Sequence, residues 1–220
     1  MPTRRHTEVL REAVKLAGRR VVDIGCGRGG LAGWLARQGA DVLGVDVQVE
    51  AVARARAAGI AAVAAAADAL PLADGTVEVA VVFNSLHHFL DPAAALAEAR
   101  RVLAPGGVLY VAEPLAEGAY FAFMQPVDDE TEVRATALRA LAATTGWAAR
   151  ERIDYSHEVV VADLEREIGH WPAVDPSRRP RIEAARDELG ARFHRHGRVT
   201  DRGHAFVQPM RAVVLQARRP

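Results

Sequence analysis

Apolar positions recur along the first half of the chain in two alternating rhythms. Val9, Leu10, Ala13, Val14 and Ala17 stand three and four apart, the stripe of an amphipathic helix over 7–16 that Gly18 ends. From Arg20 onward β-branched runs take turns with helical stretches. The spacing predicts a strand at 20–24, a helix at 30–38, a strand at 41–45, a helix at 49–58 and strands near 61–66 and 77–83. The run at 61–66 is nearly all alanine, which by propensity favours a helix; its place in the rhythm assigns a strand, and a buried parallel strand tolerates small side chains. Asp91-Pro92 supplies an N-cap with proline at the first helical position, and Leu96, Ala99, Val102 and Leu103 hold one face until Pro105-Gly106-Gly107. A strand at 108–112 comes next.

Beyond Glu113-Pro114 the texture changes. Aromatics and Met124 precede Gln125-Pro126, and a helix at about 128–143 starts with Asp128-Asp129-Glu130 at its positive end. Strands at 153–161 and 205–217 enclose a charged helix at about 177–195. The expected architecture is α/β and Rossmann-like: a mostly parallel, seven-stranded sheet with helices on both faces. A chain of 220 residues favours one domain over two. Within it we expect an N-terminal helix (1–19), a ligand-binding core (20–113), a region covering the sheet's carboxyl edge (114–150) and C-terminal strands with a helix (151–220).

Charge and cysteine usage narrow the function. Lys plus Arg and Asp plus Glu each number 28, so no field is strong enough to gather a polyanion, and nucleic acid is a poor candidate partner. Cys26 is the single cysteine, which excludes an internal disulfide and a Cys-rich metal site and fits a reducing compartment. The first 20 residues are charged throughout and no apolar run reaches membrane-spanning length. We therefore expect a cytoplasmic protein without a membrane partner. His194, His196 and His204 have no recognisable ligand spacing, so no metal is expected.

The chemistry begins at Asp23-Ile24-Gly25-Cys26-Gly27-Arg28-Gly29-Gly30, a glycine-rich turn directly between a strand and a helix. Glycines let backbone approach a ligand, and the helix N-terminus offers unpaired N–H groups to an anion or carboxylate. Gly25-x-Gly27-x-x-Gly30 also satisfies the dinucleotide fingerprint, so this segment alone leaves a nicotinamide cofactor and S-adenosylmethionine open. Asp46, ending the second strand, can accept both hydroxyls of a ribose, which either cofactor carries.

Further segments break the tie by resemblance. Asp23 with the three glycines resembles motif I of class I methyltransferases. Asp68-Ala69, followed by Leu70-Pro71-Leu72, resembles the place where that family sets an acid against the adenine amino group. Val79 to Phe89, containing Asn84-Ser85-Leu86-His87-His88, resembles the fourth-strand segment of the small-molecule branch called type 11, which includes quinone-ring methylating enzymes. Arg100-Arg101-Val102-Leu103-Ala104-Pro105-Gly106-Gly107 matches the helix–loop–strand that usually comes after it. The chain is similar to that branch over about 20–113.

The resemblance implies S-adenosylmethionine as cofactor and methyl transfer to a small molecule. It assigns Asp23, Gly25, Gly27, Gly29, Asp46, Asp68, Ala69 and Asn84 to the cofactor, with Gly25, Gly27 and Gly29 at its methionine end. His87 and His88 are candidate catalytic bases, and Glu113, at the mouth of the fifth strand where ligands gather, is a third catalytic candidate. Tyr120, Phe121, Phe123 and Met124 are candidates for an apolar substrate lid or for ordinary core. Enzymes that methylate amino groups of nucleic acids usually carry Asn or Asp, two prolines and an aromatic after the fourth strand; Asn84-Ser85-Leu86-His87 departs from this. Arsenic-type methyltransferases need a cysteine set absent here. Two rivals remain: a nicotinamide-dependent oxidoreductase, which leaves Asp68 and the paired histidines without a role, and a catalytically silent regulatory module that binds the cofactor. The acceptor atom and the oligomeric state stay open.

Overall fold

A computed structural model describes residues 1–174 and 176–218. The helices are α1 (His6–Ala13), α2 (Gly30–Arg37), α3 (Val49–Ala57), α4 (Pro92–Val102), α5 (Ala119–Met124), α6 (Thr131–Ala143), α7 (Leu164–Val174), α8 (Arg178–Ala184) and α9 (Arg186–His196). The strands are β1 (Arg20–Ile24), β2 (Asp41–Asp46), β3 (Ala62–Ala64), β4 (Val77–Phe83), β5 (Leu103–Pro114), β6 (Trp147–Val161), β7 (Arg198–Thr200) and β8 (Gly203–Ala217). They join in one sheet of order β3-β2-β1-β4-β5-β8-β6, with β7 pairing β8. The residues cluster into two compact units.

The larger unit takes Thr7–Glu113, Thr136–Ile153 and Arg211–Pro220. Its strands β1 to β5 pair in parallel, β1 lying between β2 and β4. Val22, Ile24, Ala80, Val82, Leu109 and Val111 make a continuous apolar layer, fully or nearly fully buried, as expected for a sheet covered on both faces. The strand order reverses direction at β1 and β4, since β2 and β3 lie to one side of β1 and β5 to the other. In open α/β sheets ligands bind outside the carboxyl ends of the strands at such a switch point.

Local chemistry explains most boundaries. Asp91 caps α4 by accepting the backbone N–H groups of Ala93 and Ala94 at 2.9 Å each, and Pro92 takes the first turn. The alanine run does form β3, but only over Ala62–Ala64, paired with Gly44–Asp46 of β2. The fifth strand begins earlier than the 108–112 expected, because Leu103 already pairs with Val77 and the Pro105-Gly106-Gly107 segment is a bulge inside β5.

The smaller unit takes Met1–His6, Pro114–Ala135 and Asp154–Met210. Its core is aromatic: Phe123 stacks on Phe206 with ring centroids 5.0 Å apart and meets Trp171 and Phe193 at 5.6 Å. Here two expectations are corrected. The sheet has eight strands among the described residues, not seven, because Arg198–Thr200 folds back on β8 through Asp201-Arg202. Three mostly exposed residues have no apolar alternation by which to find that strand. The helix expected at 177–195 is two, α8 and α9, parted at Ala185. Helix α7 was not expected either; Asp163 opens it by accepting the N–H of Arg166, and Leu164, Ile168 and Trp171 then turn one apolar side to the aromatic core.

Candidate functional site

The glycine turn leaves β1 at the switch point, and its glycines are required for different reasons. Gly25 has φ 79°, and an added Cβ would lie 2.6 Å from the Cβ of Ser85, so its missing side chain is the space Ser85 occupies. Gly27 has φ 53°, and its added Cβ would meet no protein atom within 4 Å. Gly29 packs against Ala55 and Ile60. Of the three, Gly27 bares its backbone toward open space, the property a closely approaching ligand needs.

Two carboxylates back this turn. Asp46, at the end of β2, accepts the Gly27 N–H at 2.8 Å on one oxygen and the Gln48 N–H at 2.9 Å on the other. Each oxygen retains a lone pair, so the acid that shapes the turn can also accept hydroxyl donors. Asp23 is 1% exposed, and its Oδ2 has no hydrogen-bond partner. Burial, and then the negative charge of Asp46, push its pKa up to about 7; a hydrogen bond from the Ala32 backbone pulls the other way. A buried, half-unsatisfied acid beside an open glycine is a demand for a donor or a cation.

Across the switch point, β4 is followed directly by Asn84, the one non-glycine residue with positive φ (51°) among the described residues. Asparagine tolerates this left-handed conformation better than most. Its N–H is tied to the Ala112 carbonyl at 2.8 Å and its side chain is exposed. Ser85 is buried and donates its hydroxyl to the Ile24 carbonyl at 3.1 Å, closing the turn after β4 onto the turn after β1. No local pattern marks the role of the Ser85 hydroxyl, since its partner Ile24 is 61 residues away in sequence.

Glu113 is fully buried and gathers the short 3₁₀ turn Leu86–His88. One oxygen accepts the N–H groups of Ser85 and Leu86 at 3.0 and 2.9 Å; the other accepts His87 N–H at 3.3 Å and meets His87 Nδ1 at 2.5 Å. This contact fixes the orientation of the His87 ring, whose side chain is 1% exposed. The His88 ring lies 3.9 Å from that of His87 and is the exposed one of the pair. The three candidate catalytic residues are thus adjacent, but Glu113 spends its oxygens on the loop.

Asp68 and Ala69 are exposed in the loop after β3, and Leu70 returns the chain to the core. Of the lid candidates, Phe123 is fully buried at the centre of the smaller unit's own aromatic core. Phe121 is buried under the Arg134 guanidinium, 5.0 Å from its ring, and Tyr120 donates to Glu167 at 3.0 Å. Met124 packs at that core's edge.

A parallel sheet of this order, a glycine turn after β1 and an acid ending β2 define a nucleoside-cofactor protein of the Rossmann-like class. Residues 22–111 match the model of the methyltransferase domain of type 11. Among curated proteins, 171 residues are 33% identical to one named as a probable S-adenosylmethionine-dependent methyltransferase of Mycolicibacterium smegmatis, covering 76% of this chain and 66% of that one. A ubiquinone biosynthesis O-methyltransferase of Methylococcus capsulatus is 34% identical over 110 residues, 47% of this chain and 46% of that one. Among solved structures the YcgJ protein of Bacillus subtilis shares the fold, with a TM-score of 0.68 at 17% identity over 97% of this chain and 98% of that one. Residues 22–111 are thus a methyltransferase domain of type 11, of the S-adenosylmethionine-dependent kind. The chain spans about half the length of the curated relatives it matches, from 30% of one to 66% of another.

The residues fit this family's cofactor. The open face of Gly27, the free lone pairs of Asp46 and the unpartnered oxygen of Asp23 are what a cationic aminoacyl nucleoside requires.

Proposed function

We propose that this chain transfers a methyl group from S-adenosylmethionine to a small, partly apolar acceptor. The observation that carries the reading is the pairing of an open, left-handed Gly27 with Asp46, which holds the Gly27 N–H while keeping lone pairs for a ribose. When bound, S-adenosylmethionine supplies an activated methyl carbon on a sulfonium. Gly27 and Asp23 hold the methionine end, with Asp23 facing its ammonium. Asp46 accepts the ribose hydroxyls. Asp68 with Ala69 receives the adenine, and Asn84 stands between cofactor and acceptor.

Methyl transfer is an in-line displacement, so the protein's main task is to align the reacting atoms and exclude water. A base is needed only for an acceptor that starts protonated. His87 and His88 are the candidates for that part, and Glu113 acts by positioning the His87 ring, since its oxygens are committed. We read 1–220 as one methyltransferase domain with 114–150 as the acceptor-facing region. The acceptor class rests on a chain with balanced charge and on the relative named as a ubiquinone biosynthesis O-methyltransferase.

Calorimetry with S-adenosylmethionine against NAD, followed by a metabolite panel scored for S-adenosylhomocysteine release, tests the reading. Preference for NAD would overturn it, and binding without turnover on any acceptor would favour a silent module. Asp46→Ala should weaken S-adenosylmethionine binding by about 1.5 to 3 kcal/mol, the usual contribution of a hydrogen bond to a charged group. An unchanged dissociation constant would remove the ribose assignment.

A further inference from the structure

Between the end of β3 at Ala64 and the start of β4 at Val77 the chain has no regular structure. This loop carries Asp68 and Ala69. It leaves β3 with the Ala65 N–H donating to the Asp46 carbonyl at 3.1 Å, and turns where the Ala69 N–H meets the Ala66 carbonyl at 3.2 Å. Leu70 then enters the core at 5% exposure, which takes a backbone N–H and a backbone carbonyl out of water together.

The carbonyl accepts the Leu72 N–H at 2.8 Å, and one pair of side chains on α4 reaches both groups. The Leu70 N–H donates to Glu98 Oε1 at 2.8 Å, and Arg101 Nη2 donates to the Leu70 carbonyl at 3.2 Å. Glu98 and Arg101 bind each other through two parallel hydrogen bonds of 2.7 Å, Nε to Oε2 and Nη2 to Oε1. The third nitrogen, Arg101 Nη1, reaches Asp74 Oδ1 at 2.6 Å, and the Gly75 N–H donates to the Arg101 carbonyl at 3.0 Å. The loop is therefore held at Leu70, Asp74 and Gly75 from a single turn of α4. The bidentate fork fixes the two side chains relative to each other, and so fastens the loop at Leu70. Asp68 lies two residues before that anchor.

We propose that Glu98 and Arg101 are positioning residues for the adenine end of the cofactor. They hold the loop after β3 in the shape that receives the base, and so set affinity and base selectivity without touching the ligand. The proposal rests on the reading that the Asp68-Ala69 loop receives adenine. The outer arm of the clamp contributes little to folding, since the Arg101 side chain is 33% exposed and that of Asp74 81%, while Glu98, 14% exposed, is the arm that meets the loop backbone. Their consequence lies in where they put the loop, because a shift of about 1 Å in a positioning group is enough to lower affinity or rate.

The test uses calorimetry on the full chain with two probes, S-adenosylhomocysteine and S-inosylhomocysteine, which lacks the base amino group. The parent should prefer the adenine compound. Glu98→Ala, shown to be folded by circular dichroism, should bind S-adenosylhomocysteine about tenfold more weakly and lose most of the preference, because a loosened loop no longer presents an acceptor to the amino group. Arg101→Lys keeps the charge but not the fork; it should lose preference to a smaller degree, and it carries the test if Glu98→Ala does not fold. A folded variant that keeps parental affinity and preference overturns the proposal. Weaker binding with the preference intact also overturns it, since that is what a general loss of stability would do. A parent that binds both probes equally overturns it as well. Asp68→Ala separates the two readings. If it leaves the preference unchanged while Glu98→Ala removes it, Asp68 is not the base acceptor and the clamp stands. If Asp68→Ala removes the preference and Glu98→Ala does not, the base acceptor stands and the clamp falls.

Discussion

Asp23 is a buried residue whose environment opposes its charge. Its folded-state pKa is raised from 3.8 to about 7, so below about pH 4 both folded and unfolded chains hold the proton. As pH rises toward 7 the unfolded chain releases it first. Asp23 therefore contributes stability at low pH that is lost as pH rises through the folded pKa, and a difference of one pH unit between the folded and unfolded pKa is equivalent to about 1.4 kcal/mol. Asp23→Asn should remove this slope: urea unfolding at pH 5 and pH 8 should show the variant gaining on the parent toward pH 8. Parallel profiles would mean the carboxyl is not held protonated. At Gly27 the expectation concerns ligand space. Gly27→Val should fold, with a modest loss from a β-branched residue at φ 53°, and should bind no S-adenosylmethionine in calorimetry, because the branched side chain fills the open face. Tight binding by the folded variant would place the cofactor elsewhere. Asp46 and the glycines were legible in the sequence because a strand end and a tight turn each have a local signature. Ser85 was not, since its partner Ile24 lies 61 residues away.

Helix α4 shows how far an element can be read from its own residues. The Asp91 carboxylate, Pro92 and the apolar face at Leu96, Ala99 and Val102 predicted its start and its buried side, and the cap forms as expected. Asp91→Ala should cost about 1 kcal/mol, seen as a fall in Tm of roughly 2–4 °C, with cofactor affinity unchanged. A Tm equal to the parent's would show the cap to be idle. Local signals misplaced the start of β5, because Leu103 joins that strand through its pairing with Val77 and not through anything in its neighbours. They likewise drew one helix where α8 and α9 part at Ala185, since the charged face runs on through the break.

For the whole molecule, balanced charge bears on the acceptor. With 28 basic and 28 acidic side chains, activity on a small acceptor should survive moderate salt, whereas a nucleic-acid substrate would lose affinity steeply as counterions compete. Robust RNA or DNA methylation that collapses between low and physiological salt, with no small acceptor active, would overturn the small-molecule reading. Among the described residues no helix is long and apolar enough to cross a membrane.

By itself the sequence determined the alternation of strands and helices, the glycine turn after β1, the acid ending β2 and the family they mark, because periodicity, caps and turns act over a few residues. Only the tertiary structure decided which glycine faces open space, that Glu113 is committed to the loop at Leu86–His88, that Phe123 is core, and that Glu98 and Arg101 grip Leu70. Those outcomes depend on groups 26 to 31 residues apart or more meeting in buried or partly buried contacts. There the need to satisfy every buried donor and acceptor selects the partner, and no local pattern records that choice.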